Sequence, residues 1–446
     1  MDDNFPTIHL RPPKNHINDP NGMIYYNGRY HVFAQYNPFG AIWGTIHWIH
    51  FSTTDFIHWD LYPTLLTPDQ EYDKEGCWSG CSFLADKGPA IIYSAFDGQK
   101  TLPSIAWSND SFKDWQKSSS NPIIKNLPFE GLFGFRDHKV FKRNGLWYQL
   151  IGSGVRNSGL ILCYTSNDLI TWNYYGVWFR HEHPSENMLE CPDYIELEDQ
   201  NLLIYSTNDP YKDKTLQSYW ALGKETGDTN NSVFQILETG ILDPGCFYAP
   251  QTFHDDKRII LIGWLREERP NGELIKAGWG GALSLPREIE IKDSKVIMKP
   301  IQELKNLRES ALRIEKQKSI EKPFELQSQN GLLEVFLNLG NFQSNDKLII
   351  EIEGIESKAL QISITCIGLE LTDTNESKTL KYTLEKEFKV HFFIDHSILE
   401  LFLDYKVTLS TRMYDYGQEL KIKIYTTANM NGDAYTLSPI RISKIE

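Results

Sequence analysis

Three short segments ending in tryptophan recur at nearly constant spacing. "STTDFIHW" closes at Trp59, "SNDSFKDW" at Trp115 and "SNDLITW" at Trp172, 56 and 57 residues apart. A second marker runs in phase with the first. Asn18-Asp19-Pro20, Trp78-Ser79-Gly80, Arg136-Asp137-His138, Glu190-Cys191-Pro192-Asp193 and Tyr248-Ala249-Pro250-Gln251 each lead into two β-prone runs separated by a turn, as in "MIYYNGRYHVF" and "KVFKRNGLWYQLI". Asn27-Gly28 between two such runs is a hairpin signal. A period of this size, carrying several short strands per unit, is the pattern of propeller blades. Five markers give five blades over residues 1–298. A β-sandwich array is the competing arrangement, but its modules run nearer ~100 residues.

The period stops after about residue 290. "FELQSQNGLLEVFLNL", "KLIIEIEGI", "LQISITCIGLELT", "FKVHFFIDHSILELFLDY" and "LKIKIYTT" alternate apolar and polar residues, which is the signature of half-buried strands. Residues 319–446 are therefore expected to form a β-sandwich. Helical patterning is best between Pro300 and Gln317, so residues 299–318 are expected to be a helical linker. The expected fold class is all-β, a five-bladed β-propeller followed by a C-terminal β-sandwich.

Composition narrows the function. The 446 residues are 41% hydrophobic and 23% charged, ordinary for a globular protein. A formal net charge of −14 repels phosphate backbones and anionic lipid, which argues against nucleic-acid and membrane partners. No apolar run approaches the roughly 18 residues of a membrane span. The N-terminus lacks the basic start and apolar stretch of a signal peptide, so a cytoplasmic location is expected, or secretion if a leader had been trimmed. Six cysteines are sparse. Cys77 and Cys81 form a C-x-x-x-C pair that no second pair or His cluster completes. No metal and no cofactor are expected, and free buried thiols fit a reducing compartment.

Asp19 alone reads as a turn residue, because Asp, Asn, Pro and Gly are ordinary turn formers. The repeat changes that reading. Residues at equivalent blade positions line one mouth of the central channel, and three markers carry acids there: Asp19, Asp137 and Glu190. Acids that converge beside aromatic surface fit glycoside hydrolysis, in which one carboxyl protonates the leaving oxygen and another attacks the sugar carbon or activates water.

These motifs resemble those of glycoside hydrolase family 32, which includes the invertases, inulinases, levanases, sucrose-6-phosphate hydrolases and fructosyltransferases. "HINDPNG", "QYNPFGAIWGTIHWIHFSTTDFIHW", "CWSGCS", "FRDHKVF", "MLECPD", "FYAPQTF" and "GWGGALSLPRE" follow its blocks in order, and "FFIDHSILELFLD" with Arg412 resembles its sandwich signature. The resemblance covers nearly the whole chain. It implies hydrolysis of a β-fructofuranosyl bond with retention, the substrate being sucrose, a short fructo-oligosaccharide or a fructan. It assigns Asp19 as nucleophile, Glu190 as general acid and then base, and Asp137 as transition-state stabiliser. Asn18, Gln35, Trp43, Trp78, Ser79 and Arg136 would line the fructose pocket.

Each role carries a physical demand. Asp19 is expected to stay ionised through neighbouring donors, and Glu190 to be protonated through its acidic neighbours and partial burial. Arg136 is expected to hold Asp137 ionised, and Cys191 to pack behind Glu190. His47, His50 and His58 read as structural. Three departures stand out: His138 replaces the family's proline, His16-Ile17 replaces Trp-Met, and Cys246 stands where many members carry an acid. A fructosyltransferase using the same site is the nearest alternative. A non-catalytic sugar-binding propeller and an inverting arabinan-cleaving enzyme are more distant ones. Oligomeric state is left open.

Overall fold

The computed structural model describes residues 2–445 except 110–111, 184–186, 210–215, 228–232, 256, 317–318, 356–357 and 373–376. It is nearly all β, and it divides into two compact units. One comprises Leu10–Val296 with Arg441–Glu446, the other Met1–His9 with Ile297–Ile440. The boundaries thus differ from a plain division at 298. The first nine residues belong with the sandwich, and the last six with the propeller.

The larger unit holds five twisted antiparallel sheets built from consecutive strands. Their innermost strands are Asn15–Tyr26, Gly76–Ala85, Phe135–Arg143, Met188–Ile195 and Phe247–His254. Each packs against the next, and the fifth packs against the first, so the sheets close into a ring of five blades. The first blade also carries both closures. Trp279–Gly280 adds parallel to Asn15–His16 on its inner edge, and Arg441–Lys444 adds parallel to His58–Leu61 on its outer edge. These additions cover strand edges that would otherwise stay open.

The tryptophan repeat is blade-turn chemistry. In three blades the turn before the outermost strand passes through a positive-φ residue, Phe56 (62°), Phe112 (55°) or Leu169 (65°). The indole N–H of Trp59, Trp115 or Trp172 donates to that residue's carbonyl at 3.0, 3.2 and 3.1 Å. Asp55 and Asp168 accept the backbone N–H groups that follow. These tryptophans close turns, and they do not line the channel mouth.

The smaller unit is a sandwich of two six-stranded sheets. Strands such as Leu420–Thr426 alternate buried and half-buried residues along their whole length, and the inner faces meet in an apolar core that includes Val335, Ile350, Ile362, Phe392, Leu401 and Ile422. The expected helix at 299–318 is not there. Gln302–Leu307 is a short 3-10 helix, Arg308–Lys316 is a strand, and residues 317–318 lie outside those described. That strand pairs with Asn429–Leu437. An open sheet edge offering a ladder of backbone hydrogen bonds outweighs a helix propensity of a few tenths of a kcal/mol per residue. Among the described residues, the α-helix is Asn271–Ala277 instead.

The N-terminal segment is pinned within this unit by Asp395. Its carboxylate accepts from the backbone N–H groups of Thr7, Ile8 and His9 at 2.8, 2.8 and 3.0 Å, and faces the imidazoles of His9 (2.7 Å) and His396 (2.9 Å). The other nitrogen of His9 lies 3.1 Å from Glu400. Burial opposes the charges on both groups, but these partners outweigh it. They hold Asp395 well below the usual carboxylate range and His9 above the usual imidazole value.

Candidate active site

Every innermost strand of the propeller carries a break in register near its start. The breaks fall between Ile17 and Pro20, between Trp78 and Gly80, opposite Ile151/Gly152 at Asp137, between Glu190 and Asp193, and between Tyr248 and Gln251. Three of the displaced residues adopt positive φ: Asp137 (61°), Cys191 (47°) and Ala249 (48°). A bulge places extra residues on one strand and re-aims their side chains. Five bulges at equivalent positions therefore build two stacked rings. The first contains Asn18, Trp78, Arg136, Glu190 and Tyr248. The second contains Asp19, Ser79, Asp137, Cys191 and Ala249.

The three acids meet in these rings. Ser79 Oγ donates to Asp19 Oδ2 at 2.8 Å, and Gln35 Nε2 approaches the same oxygen at 3.4 Å. Asp137 Oδ2 accepts from the Cys191 backbone N–H at 3.0 Å. The Cys191 sulfur lies 3.5 Å from Asp137 Oδ2 and 3.8 Å from Asp19 Oδ2. One thiol thus touches two carboxylates from blades 118 residues apart in sequence. Cys191 was expected behind Glu190; it sits between the other two acids because it occupies the deeper ring. Its thiol is pushed well up by burial and by Asp137, and acts as a donor rather than a nucleophile.

Glu190 is held from the opposite side. Arg136 makes a paired contact with Oε1, through its Nε at 3.1 Å and through a terminal nitrogen. The Tyr248 hydroxyl donates to Oε2, and Asn208 reaches Oε1 at 3.4 Å. Tyr248 and Asn208 were missed in the sequence. The signal for Tyr248 was present, since its marker aligns with Glu190 one blade earlier; Asn208, on the adjacent strand of the same blade, left none.

The charge pattern reverses the sequence expectation. Burial, and then the Asp137 carboxylate, push Asp19 up to about 7 against the pull of Ser79. Burial and Glu190 raise Asp137 too. Burial also works against ionising Glu190, but the Arg136 charge and the Tyr248, Arg136 and Asn208 donors outweigh it and hold this group low. Arg136 pairs with Glu190 rather than with its sequence neighbour Asp137, because a propeller brings together residues at one level of adjacent blades.

The remaining expected pocket residues are also assembled. Asn18 donates to Gln35 at 2.7 Å, and Gln35 in turn donates to Ser79. Trp43 is 51% exposed and meets Trp78 edge-on at 5.8 Å. Trp78 packs against Phe96 at 4.3 Å, with the Arg136 guanidinium 5.9 Å from its ring. This makes one aromatic wall beside three acids, the ordinary furniture of a sugar site. Two departures from the family pattern lie inside the fold: Cys246 is fully buried, and His16 is buried edge-on against Trp264 at 6.2 Å.

Comparison with known proteins agrees with this architecture. Sucrose-6-phosphate hydrolase of Escherichia coli is 29% identical, with 95% of this chain and 92% of that protein aligned. The β-fructofuranosidase BmSUC1 of Bombyx mori superposes with a TM-score of 0.86 at 26% identity, covering 99% of this chain and 95% of that one. A BmSUC1 variant in complex with sucrose gives 0.85 at the same identity and coverage. Sequence models of the glycosyl hydrolases family 32 N-terminal domain and C-terminal region match residues 9–300 and 356–443. The repeat, the ring of acids and these matches agree, and the chain belongs to glycosyl hydrolases family 32.

Proposed function

We propose that this glycoside hydrolase releases fructose from β-fructofuranosides by double displacement. The observation that carries this reading is the shared pocket of Asp19, Asp137 and Glu190, with one thiol bridging the first two and Arg136 fixed on the third. Asp19 is the least buried of the three acids, and it attacks the anomeric carbon C2 of fructose. Glu190 protonates the departing oxygen, then takes the proton of the incoming water. Asp137, held at its backbone by Ser94 and at Oδ2 by Cys191, accepts hydrogen bonds from fructose hydroxyls as positive charge develops on the ring. The aromatic wall of Trp43 and Trp78 covers the apolar face of the sugar. Relatives named for sucrose 6-phosphate and for β-fructofuranosides support this substrate class, and six free cysteines support a reducing location.

The catalytic step needs one proton on Glu190 and none on Asp19. The resting arrangement favours the opposite placement with the same proton count. Coupled carboxyls titrate as a unit, so activity follows the count rather than the assignment. Asp137 gives up its proton near pH 6 and Asp19 gives up the last one as pH rises through about 7. We therefore expect kcat/KM for sucrose to fall above about pH 7. Arg136→Gln removes a cation that favours the ionised acids, so it is expected to move this alkaline limb to higher pH while weakening binding. A limb that stays in place would refute the coupling. Fructose release from sucrose, sucrose 6-phosphate, inulin and levan tests the function itself; no release from any of them would end this reading. Product analysis at high sucrose separates hydrolysis from fructosyl transfer.

A further inference from the structure

His138 is buried behind the acids and touches no substrate surface, with 1% of its area exposed. Its contacts nevertheless lead to two of the three acids. The hydroxyl of Ser94, on the neighbouring blade, lies 3.2 Å from His138 Nε2. That hydroxyl donates its single proton to the Ser79 carbonyl at 2.7 Å, and it accepts the Asp137 backbone N–H at 2.8 Å. Toward His138 it can only accept, so the imidazole proton sits on Nε2. Nδ1 then accepts from Gln149 Nε2 at 3.1 Å, which completes the ring's hydrogen bonding. Ser94 and Gln149 are fully buried. Ser79, at the far end of the chain of contacts, donates to Asp19.

We propose that His138 is a positioning residue: by fixing Ser94 it ties the Asp137 backbone to that of Ser79, and so sets the separation of the stabilising and attacking carboxylates from behind the pocket. The proposal rests on the fructosidase reading above. Asp137 sits at φ 61°, a sparsely populated conformation for a residue with a side chain. Its N–H has Ser94 as acceptor, and only a donor at position 138 completes that acceptor's shell. Proline, which the family's block carries here, has no side-chain donor. Burial with no compensating partner charge holds the ring neutral down to about pH 3, so the link persists across the working range.

The test is a set of variants assayed on sucrose. His138→Leu keeps bulk and removes the donor, while His138→Gln keeps a nitrogen donor near Nε2. Displacing a catalytic group by a fraction of an ångström costs roughly 10- to 100-fold. We expect His138→Leu to lower kcat by about that factor with little change in KM, and His138→Gln to restore most of it. Ser94→Ala should match His138→Leu, and the double variant should be no worse than either alone. A His138→Leu enzyme with full kcat, or losses that multiply in the double variant, would overturn the proposal. Histidine-selective 15N NMR reads the geometry without turnover. His138 should show a proton on Nε2 that does not titrate between pH 5 and 8, and a titrating ring or an Nδ1 proton would overturn the proposal even in a chain inactive on fructosides. A wild-type chain inactive on every fructoside, with the NMR result as expected, would remove the fructosidase reading and leave the link standing.

Discussion

Asp19→Asn is expected to lower kcat on sucrose by on the order of 10⁴-fold or more, the scale seen when a covalent nucleophile is removed, while raising thermal stability at neutral pH. The stability gain follows from the cost of ionising Asp19 in the folded state. Asp19 is pushed up to about 7 by burial and by Asp137, whereas a carboxyl in the unfolded chain titrates near ~3.9. Between these values the folded state holds a proton that the unfolded state has released, so stability falls as pH rises from about 4 to about 7 and is level above that. The asparagine amide never ionises, so the variant escapes this loss. Thermal unfolding of wild type and variant at pH 4 and pH 8 should therefore diverge only at the higher pH, with the variant melting later. Equal melting temperatures at pH 8 would mean that ionising Asp19 costs the folded state nothing, through burial or through Asp137. Retained activity would remove Asp19 from the mechanism.

Asp395→Ala is expected to destabilise the sandwich unit by about 3–5 kcal/mol, the usual cost of breaking a buried ion pair from one side. The change strips acceptors from three backbone N–H groups and leaves His9 with Glu400 as its remaining carboxylate. The pH dependence has two limbs. The Asp395 contribution is present above the unfolded value near ~3.9 and fades as pH falls toward its depressed folded value. The His9 contribution is complete below the unfolded value near ~6.5 and fades as pH rises through its elevated folded value. Urea unfolding followed by fluorescence from pH 3 to 9 should show both limbs in wild type. His9→Gln should lack the alkaline one. An Asp395→Ala midpoint equal to wild type would show that the pin contributes nothing.

The contrast between these two sites explains what could be read from the chain. The blade turns were legible because their chemistry is local: an Asp or Ser, a positive-φ residue and a tryptophan lie within a few positions and repeat in phase. The acid ring was legible for the same reason, since equal spacing along the chain becomes equal level around the channel. Proton placement was not. Asp19, Asp137 and Glu190 could be set in one pocket from sequence, but which acid captures Arg136 depends on the neighbouring blade. Tyr248 stands in the right phase, but a phenol carries none of the charge that marks the acids. The His9–Asp395 contact joins residues 386 apart with no repeat to align them. At 308–316 a helix-favouring composition gave way to a sheet edge in need of a partner.

The central claim is that Asp19 forms a bond to fructose and that Glu190 then admits an acceptor on the same face. Methanolysis tests this most directly, because the methyl glycoside cannot mutarotate. With sucrose in aqueous methanol, two displacements predict methyl β-fructofuranoside beside free fructose. Methyl α-fructofuranoside, or fructose released with inverted configuration and no methyl glycoside, would contradict it.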